Sequence, residues 1–203
     1  MSWAFLDVDT QRDFVEPGGK LYAAGAEAIK PNLARLIAAA DAAQVPLVSC
    51  VDAHAPDDPE FADWPAHAVV GTPGQAKVAE TRTGREVRVP SAPPSAALPD
   101  PRRAHVVLEK QTFSVFSNPA CEAVFERTGA ETVVVFGVVT EVCVKQATLG
   151  LLERGYRVRL VEDAVWPITP EGGAAALSEL RAAGAELTTT DAVVEALAAG
   201  TPA

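Results

Sequence analysis

At 203 residues, 48% of them hydrophobic, the chain is long enough for one α/β domain that buries roughly 70% of its unfolded surface. No run approaches the ~20 apolar residues of a membrane-spanning helix, and the N-terminus shows neither the basic stretch nor the cleavage pattern of a secretory signal. A net charge of −10 speaks against nucleic acid or membrane as partners, and three widely spaced cysteines fit reduced thiols in a cytoplasmic protein better than a disulfide framework.

A β-branched and aromatic run predicts a strand over 3–8, followed by a loop through Gly18 and Gly19. The spacing of Ile29, Leu33, Leu36, Ile37 and Ala40 predicts an amphipathic helix over about 26–44. A strand over 46–51 then leads into a polar loop from Asp52 to Gly74, and loops longer than about 12–15 residues are usually functional or disordered. An irregular excursion over about 75–103 holds Arg85–Val89, read as a hairpin strand, and a Pro/Ala/Ser-rich piece from Pro90 to Pro101, read as a surface feature. Beyond it come a strand over 105–109, a helix over 119–128, a strand over 132–136 and a helix over 140–154. A strand over 157–161, a helix over 171–183, a strand over 186–189 and a helix over 191–199 complete the chain. Gly129, Gly155 and Gly184 stand where helices should stop. Short apolar runs alternating with helices predict parallel strands joined by crossovers, within a single α/β domain over 1–203.

The reactive side chains fall just past the ends of those runs. Asp9 follows the first strand, Asp52 and His54 the second, Lys110 the strand over 105–109, and Cys143 the strand over 132–136 after a tight turn at Gly137. Open parallel sheets bind ligands outside the carboxyl ends of their strands, so these groups should converge on one rim. Cys143 falls in a first helical turn with Thr140 as the expected N-cap, where the helix dipole and free N–H groups favour a thiolate and could hold an oxyanion. Most free cysteines are small buried hydrophobes, and Cys50 and Cys121 are read that way. Asp9 as base and Lys110 as its electrostatic partner raise Cys143 above that background. Viewed singly, Asp9 would be a turn residue and Lys110 a solvated charge; Asp7, Asp13 and Asp163 are read as turn or cap residues.

The long loop supplies Asp52, His54, Glu60 and His67, two of the chain's three histidines with two carboxylates. Oxygen and imidazole ligands suit Zn²⁺, Mn²⁺ or Fe²⁺, although a polar surface loop has the same composition. His105, opening a strand after two arginines, is expected to be exposed.

Together the segments Asp9-Thr-Gln-Arg-Asp-Phe14, Asp52-Ala-His54, Trp64-Pro-Ala-His67 with Gly71-Thr-Pro-Gly74, Lys110 and Gly137-Val-Val-Thr-Glu-Val-Cys-Val144 resemble the isochorismatase-like cysteine hydrolases. The Asp-x-His loop is similar to that of the nicotinamidase/pyrazinamidase branch. The resemblance implies a Rossmann-like three-layer sandwich with about six mostly parallel strands and helices on both faces. It implies Asp9, Lys110 and Cys143 as a catalytic triad, and one divalent transition metal per chain, zinc before manganese or iron. Asp52, His54 and His67 would ligate that metal, with Glu60 as a further ligand. It also implies a cis peptide at Val138–Val139, an oxyanion held by the backbone amides of Val139 and Cys143, and Phe14 and Trp64 walling the substrate ring. The expected partners are a small amide and further copies of the chain, in the cytoplasm. The activity implied is hydrolysis of nicotinamide to nicotinate and ammonia through a cysteine thioester.

One departure bears on the substrate. Nicotinamidases carry an aromatic or histidine residue immediately before the cysteine, where this chain has Val142, and Phe113 and Phe116 are the candidates to compensate. The alternatives are an amidohydrolase of the same superfamily acting on a carbamoyl or aliphatic amide, a non-catalytic metal-binding protein, and a phosphoacceptor receiver domain built on Asp7, Asp9, Asp52 and Lys110. The last has no use for Cys143 or the histidine loop. Isochorismatase activity itself dispenses with the cysteine.

Overall fold

The structure, a computed structural model, describes residues 2–93 and 97–200. Residues 94–96 of the Pro-rich piece, Met1 and residues 201–203 lie outside the described residues. Among the described residues, seven strands form one sheet: β1 (Trp3–Val8), β2 (Leu47–Asp52), β3 (Glu86–Val89), β4 (His105–Lys110), β5 (Thr132–Val138), β6 (Arg157–Trp166) and β7 (Glu186–Thr188). Their order is β3-β4-β2-β1-β5-β6-β7, and every pairing is parallel. The run at 85–89 is therefore no hairpin: it lies parallel to β4 as an edge strand.

The helices are α1 (Arg12–Val15), α2 (Lys30–Ala42), α3 (Cys121–Thr128), α4 (Lys145–Glu153), α5 (Pro170–Ala182) and α6 (Thr190–Ala198). Leu33, Leu36 and Ile37 of α2 pack with Val193 and Leu197 of α6 onto one face of the sheet, against Phe5, Leu47, Val134 and Phe136. Val124, Phe125, Leu151 and Leu180 from α3, α4 and α5 cover the other face, against Leu6, Val48, Leu108, Val133 and Leu160. Alternating strand residues thus meet apolar cover on both sides, which is why the central strands read as continuous hydrophobic runs rather than alternating ones. No helix among the described residues is long and apolar enough to cross a membrane.

The chain leaves β1 for β2 on one side and reaches β5 on the other, so the carboxyl ends of β1 and β5 flank a topological switch point, where such sheets open a crevice. Close approach there depends on Gly137, which pairs with Val8 and has φ +121°; a Cβ would run into the Val8 carbonyl.

Two regions differ from the sequence expectation because tertiary contacts override local pattern. The start of the irregular 75–103 excursion is inserted into the fold: Gln75, Lys77, Val78 and Thr81 are buried. The Lys77 ammonium bonds the carboxylate of Asp7, which is a strand-interior residue and not a turn or cap, and reaches Ser49 Oγ at 2.8 Å. His105 is buried rather than exposed, with Nε2 2.7 Å from Ser49 Oγ and Nδ1 3.1 Å from Thr83 Oγ1. Asp163 caps α6 by accepting from Thr190 N at 2.8 Å, and Asp13 ties the first loop to the second by accepting from Lys20 N and Ala68 N.

Candidate active site

Asp9 takes φ +49° as the chain leaves β1, and its amide still donates to Cys50 O at 3.1 Å, so the carboxylate stands at the sheet's rim. Lys110 ends β4 and is wholly buried, with Nζ 2.8 Å from Asp9 Oδ2 and 3.7 Å from Cys143 Sγ. The same ammonium donates to Asp52 Oδ1. Burial alone would depress Lys110, but Asp52 and Asp9 outweigh it and hold it well above its ordinary value, as a permanent cation. Burial, with Asp52 adding to it, raises Asp9 against the opposing pull of Lys110.

Cys143 sits on a π-helical turn, Thr140–Val144, that opens α4, after a cis peptide at Val138–Val139. Thr140 is not its cap: the turn begins beyond Val139, and among the described residues the buried Thr140 hydroxyl has no partner. The pull toward a thiolate expected at a helix start is opposed by the surroundings of the sulfur. Burial raises the Cys143 thiol well above its ordinary value, Asp9 and Asp52 add to this, and Lys110 only partly opposes it. Burial thus favours the protonated thiol over the thiolate, with the Asp9 carboxyl group lining the same pocket.

Asp52 connects this triad to a second cluster. Its Oδ2 lies 3.9 Å from His54 Nε2 and 3.9 Å from His67 Nε2, and His67 Nε2 lies 3.9 Å from Glu60 Oε1. His67 Nδ1 donates to the Pro65 carbonyl at 2.8 Å, and His54 Nδ1 donates to Asp58 Oδ2 at 3.0 Å. Both partners are acceptors, so each ring presents an Nδ1–H to them, and in its neutral tautomer turns the Nε2 lone pair toward Asp52. His54 Nε2 is buried and has no hydrogen-bond partner among the described residues. Buried acceptors facing one another without a donor fit a divalent cation, and these residue types suit a transition metal. Phe14 and Phe61 pack on the two imidazoles, with ring centroids 5.5 Å and 5.4 Å away.

The sequence reading missed Asp58 and Phe61. An Asp four residues after His54 was the available signal, since metal-bound histidines commonly donate their other N–H to a carboxylate.

A pocket of about 430 Å³ joins the two clusters. Cys143, Asp9 and Asp52 lie along it, His67 and Glu60 line one side, and Phe14, Trp64, Phe113 and Val142 contribute apolar wall. Phe116 does not reach it. Its ring stacks on Phe125 at 6.2 Å beneath the Arg154 guanidinium and over Gly150, the apolar niche between α3 and α4 being nearer than the pocket.

Residues 4–192 match the family described as the isochorismatase domain. Among solved structures, the chain superimposes on the pyrazinamidase of Pyrococcus horikoshii in complex with zinc, with TM-score 0.77 and 28% identity over 93% of this chain and 99% of that one. It superimposes on N-carbamoylsarcosine amidase from Thermoplasma acidophilum with TM-score 0.74 and 27% identity, over 94% and 98%. An isochorismatase family protein 2A of Dictyostelium discoideum is 30% identical over 90 residues, 44% of this chain and 45% of that protein. The aligned stretch spans less than half the length of the first curated relatives.

Proposed function

The chain belongs to the isochorismatase family, and from that membership and the site's geometry we propose that it is a metal-containing cysteine amidohydrolase whose substrate is nicotinamide. One observation carries the reading: a single pocket is lined by Cys143 and Asp9, with the buried Lys110 ammonium behind them, and by Asp52 and His67, with the buried His54 completing their cluster. A carboxamide on a ring bearing a nitrogen lone pair would address both at once.

In this mechanism Asp9 takes the proton from Cys143 Sγ, and the sulfur attacks the carboxamide carbon. The backbone amides of Val139 and Cys143 meet the developing oxyanion. As the C–N bond breaks, Asp9 returns the proton to the leaving nitrogen and ammonia departs, leaving a thioester. Asp9 then accepts a proton from water as its oxygen attacks the thioester carbon. The C–S bond breaks, the acid leaves, and the proton returns to sulfur. Lys110 holds the Asp9 and Asp52 charges in place throughout. Asp52, His54 and His67, with Glu60 beside them, would hold the metal, which supplies a Lewis-acidic contact for the ring nitrogen. Zinc is the metal we favour, supported by the zinc complex of the Pyrococcus pyrazinamidase and by the mixed oxygen and imidazole donors.

A second reading, hydrolysis of an N-carbamoyl amide, is supported by the likeness to N-carbamoylsarcosine amidase and by the aliphatic Val142 beside the nucleophile. An ammonia-release screen across nicotinamide, pyrazinamide, N-carbamoyl amino acids and aliphatic amides separates the two. Nicotinamide should lead; a preference for a carbamoyl compound by about a hundredfold or more, ~2.7 kcal/mol of transition-state discrimination, would transfer the assignment. We place the enzyme in the cytoplasm as a homo-oligomer, on the strength of three cysteines that form no disulfide with one another and of the resemblance respectively. Sedimentation tests the second point.

A further inference from the structure

β2 runs past the end of β1. The β1–β2 register closes at Val8 and Cys50, and after Asp9 the chain turns away, yet β2 continues through Asp52. On the β1 side, the backbone groups of Asp52 would lack a strand partner. The side chain of Gln11 takes that place: its Oε1 accepts from Asp52 N at 2.7 Å, and its Nε2 donates to Asp52 O at 2.9 Å. The other Nε2 hydrogen goes to Gln75 O at 2.9 Å. On the opposite side β4 pairs Asp52 with Lys110, and Ala53 N donates to Lys110 O at 2.9 Å. The main chain of Asp52 is thus gripped from both flanks, by a strand and by a primary amide acting as one.

Gln11 is wholly buried, and its backbone forms an antiparallel bridge to Lys77. Its chemistry is closely specified. Glutamate would set an oxygen against the carbonyls of Asp52 and Gln75. Asparagine would withdraw the amide by one methylene, and an apolar residue would strand three buried backbone groups.

We propose that Gln11 is a positioning residue for the metal centre: by fixing the Asp52 main chain, it aims one carboxylate oxygen at Lys110 and the other at His54 and His67. Gln11 neither lines the pocket nor belongs to the candidate metal cluster. It couples the turn carrying Asp9 to the strand end carrying Asp52, so the base and the metal carboxylate hold a set separation. The inference rests on the metal reading above.

The test titrates metal-free protein with Co²⁺ and follows visible absorption, for wild type, Gln11→Glu, Gln11→Asn and a core control, Leu36→Ala, each at a temperature where it is folded. The Gln11 variants should bind Co²⁺ at least about tenfold more weakly, with an altered visible band, as for loss of an outer-shell support. Leu36→Ala, which loses packing under α2 away from the site, should stay within about twofold of wild type. An affinity within about twofold of wild type in a folded Gln11 variant overturns the proposal. So does failure of both Gln11 variants to fold, because Gln11 would then determine the fold rather than position Asp52. A wild type that binds no Co²⁺ removes the metal reading and this inference with it. A wild type that binds Co²⁺ but spares nicotinamide removes only the substrate assignment.

Discussion

Lys110 donates to one oxygen of Asp52 while the other oxygen of that carboxylate faces His54 and His67, 3.9 Å from each Nε2. The Asp9/Lys110/Cys143 trio and the candidate metal cluster therefore share a charge, and a change in one should register in the other. Lys110 is the only cation between two buried carboxylates, Asp9 and Asp52, among the described residues. Lys110→Met should leave those carboxylates uncompensated and cost about 3–5 kcal/mol at neutral pH. Protonating a carboxylate relieves the repulsion, so the deficit relative to wild type should shrink as pH falls. Thermal melts of both proteins from neutral pH down through the acid range check this. A deficit that does not change with pH would mean that Lys110 contributes packing alone.

The state of the proposed nucleophile leads to a second expectation. Because burial and the neighbouring carboxylates raise the Cys143 thiol, the free enzyme's alkylation by iodoacetamide should keep climbing with pH beyond neutrality. A stored thiolate would instead plateau at low pH. Cys143→Ala should fold normally and lose at least about 10⁴-fold in kcat/KM, as expected when a covalent step is removed. Mass mapping of the alkylated residue and the shape of the rate–pH curve decide the point.

Asp58 accepts from His54 Nδ1 through one oxygen and from Glu60 N through the other, at 3.0 Å each. It caps the short 3₁₀ turn Pro59–Ala62 and orients a candidate ligand at the same time. Asp58→Ala should weaken metal binding by about 10–100-fold, beyond the ~1 kcal/mol that loss of a turn cap costs the metal-free protein. Competition with a chromophoric chelator measures it. Unchanged affinity would make Asp58 a loop cap and nothing more.

Much of the site was legible because the strands are parallel. Asp9, Asp52 and Lys110 each end a short apolar run, and a parallel sheet places such ends on one rim. What could not be read depends on contacts between distant segments. Nothing local to Asp7 and Lys77 shows that they pair across 70 residues, and nothing around Phe116 distinguishes a pocket wall from the niche beside Arg154. The 85–89 run looked like a hairpin strand because the turn-rich sequence around it suits one. Its partner, β4, lies beyond the Pro-rich piece.

His105 was misplaced for the same reason, and its burial has a thermodynamic consequence. Burial first, then the positive charges of Lys77 and Arg85, depress it from 6.5 to about 2, so it stays neutral in the folded protein. The unfolded chain takes up a proton at this residue below pH ~6.5 and the folded chain does not. Its contribution is therefore complete above the unfolded value and is lost as pH falls from about 6.5 toward 2, at up to ~1.4 kcal/mol per pH unit. His105→Gln should remove that slope between pH 6.5 and 5 while lowering stability at pH 7, because the contacts to Ser49 and Thr83 are disturbed. Urea titrations at several pH values test this, and an unchanged slope would assign the acid sensitivity to other groups.

The pocket wall supplies the last prediction. Val142 lines the pocket beside Cys143, and with Phe116 turned into the niche under Arg154, Phe113 is the remaining aromatic on that stretch able to face a ring. Phe113 is itself 44% exposed, so it offers an incomplete wall. A missing aromatic contact costs about 0.5–1.5 kcal/mol beyond area burial, roughly a two- to tenfold loss in affinity. If nicotinamide is the substrate, Val142→Tyr should lower KM by a factor in that range and leave kcat nearly unchanged, because the added contact acts on ground and transition states alike. If the substrate is a smaller or carbamoyl amide, the same tyrosine should obstruct it, and kcat/KM for that compound should fall. Measuring both proteins on nicotinamide and on an N-carbamoyl amino acid distinguishes the two pockets. A Val142→Tyr enzyme that gains on neither compound would show that Phe113, despite its exposure, already closes over the ring in the complex.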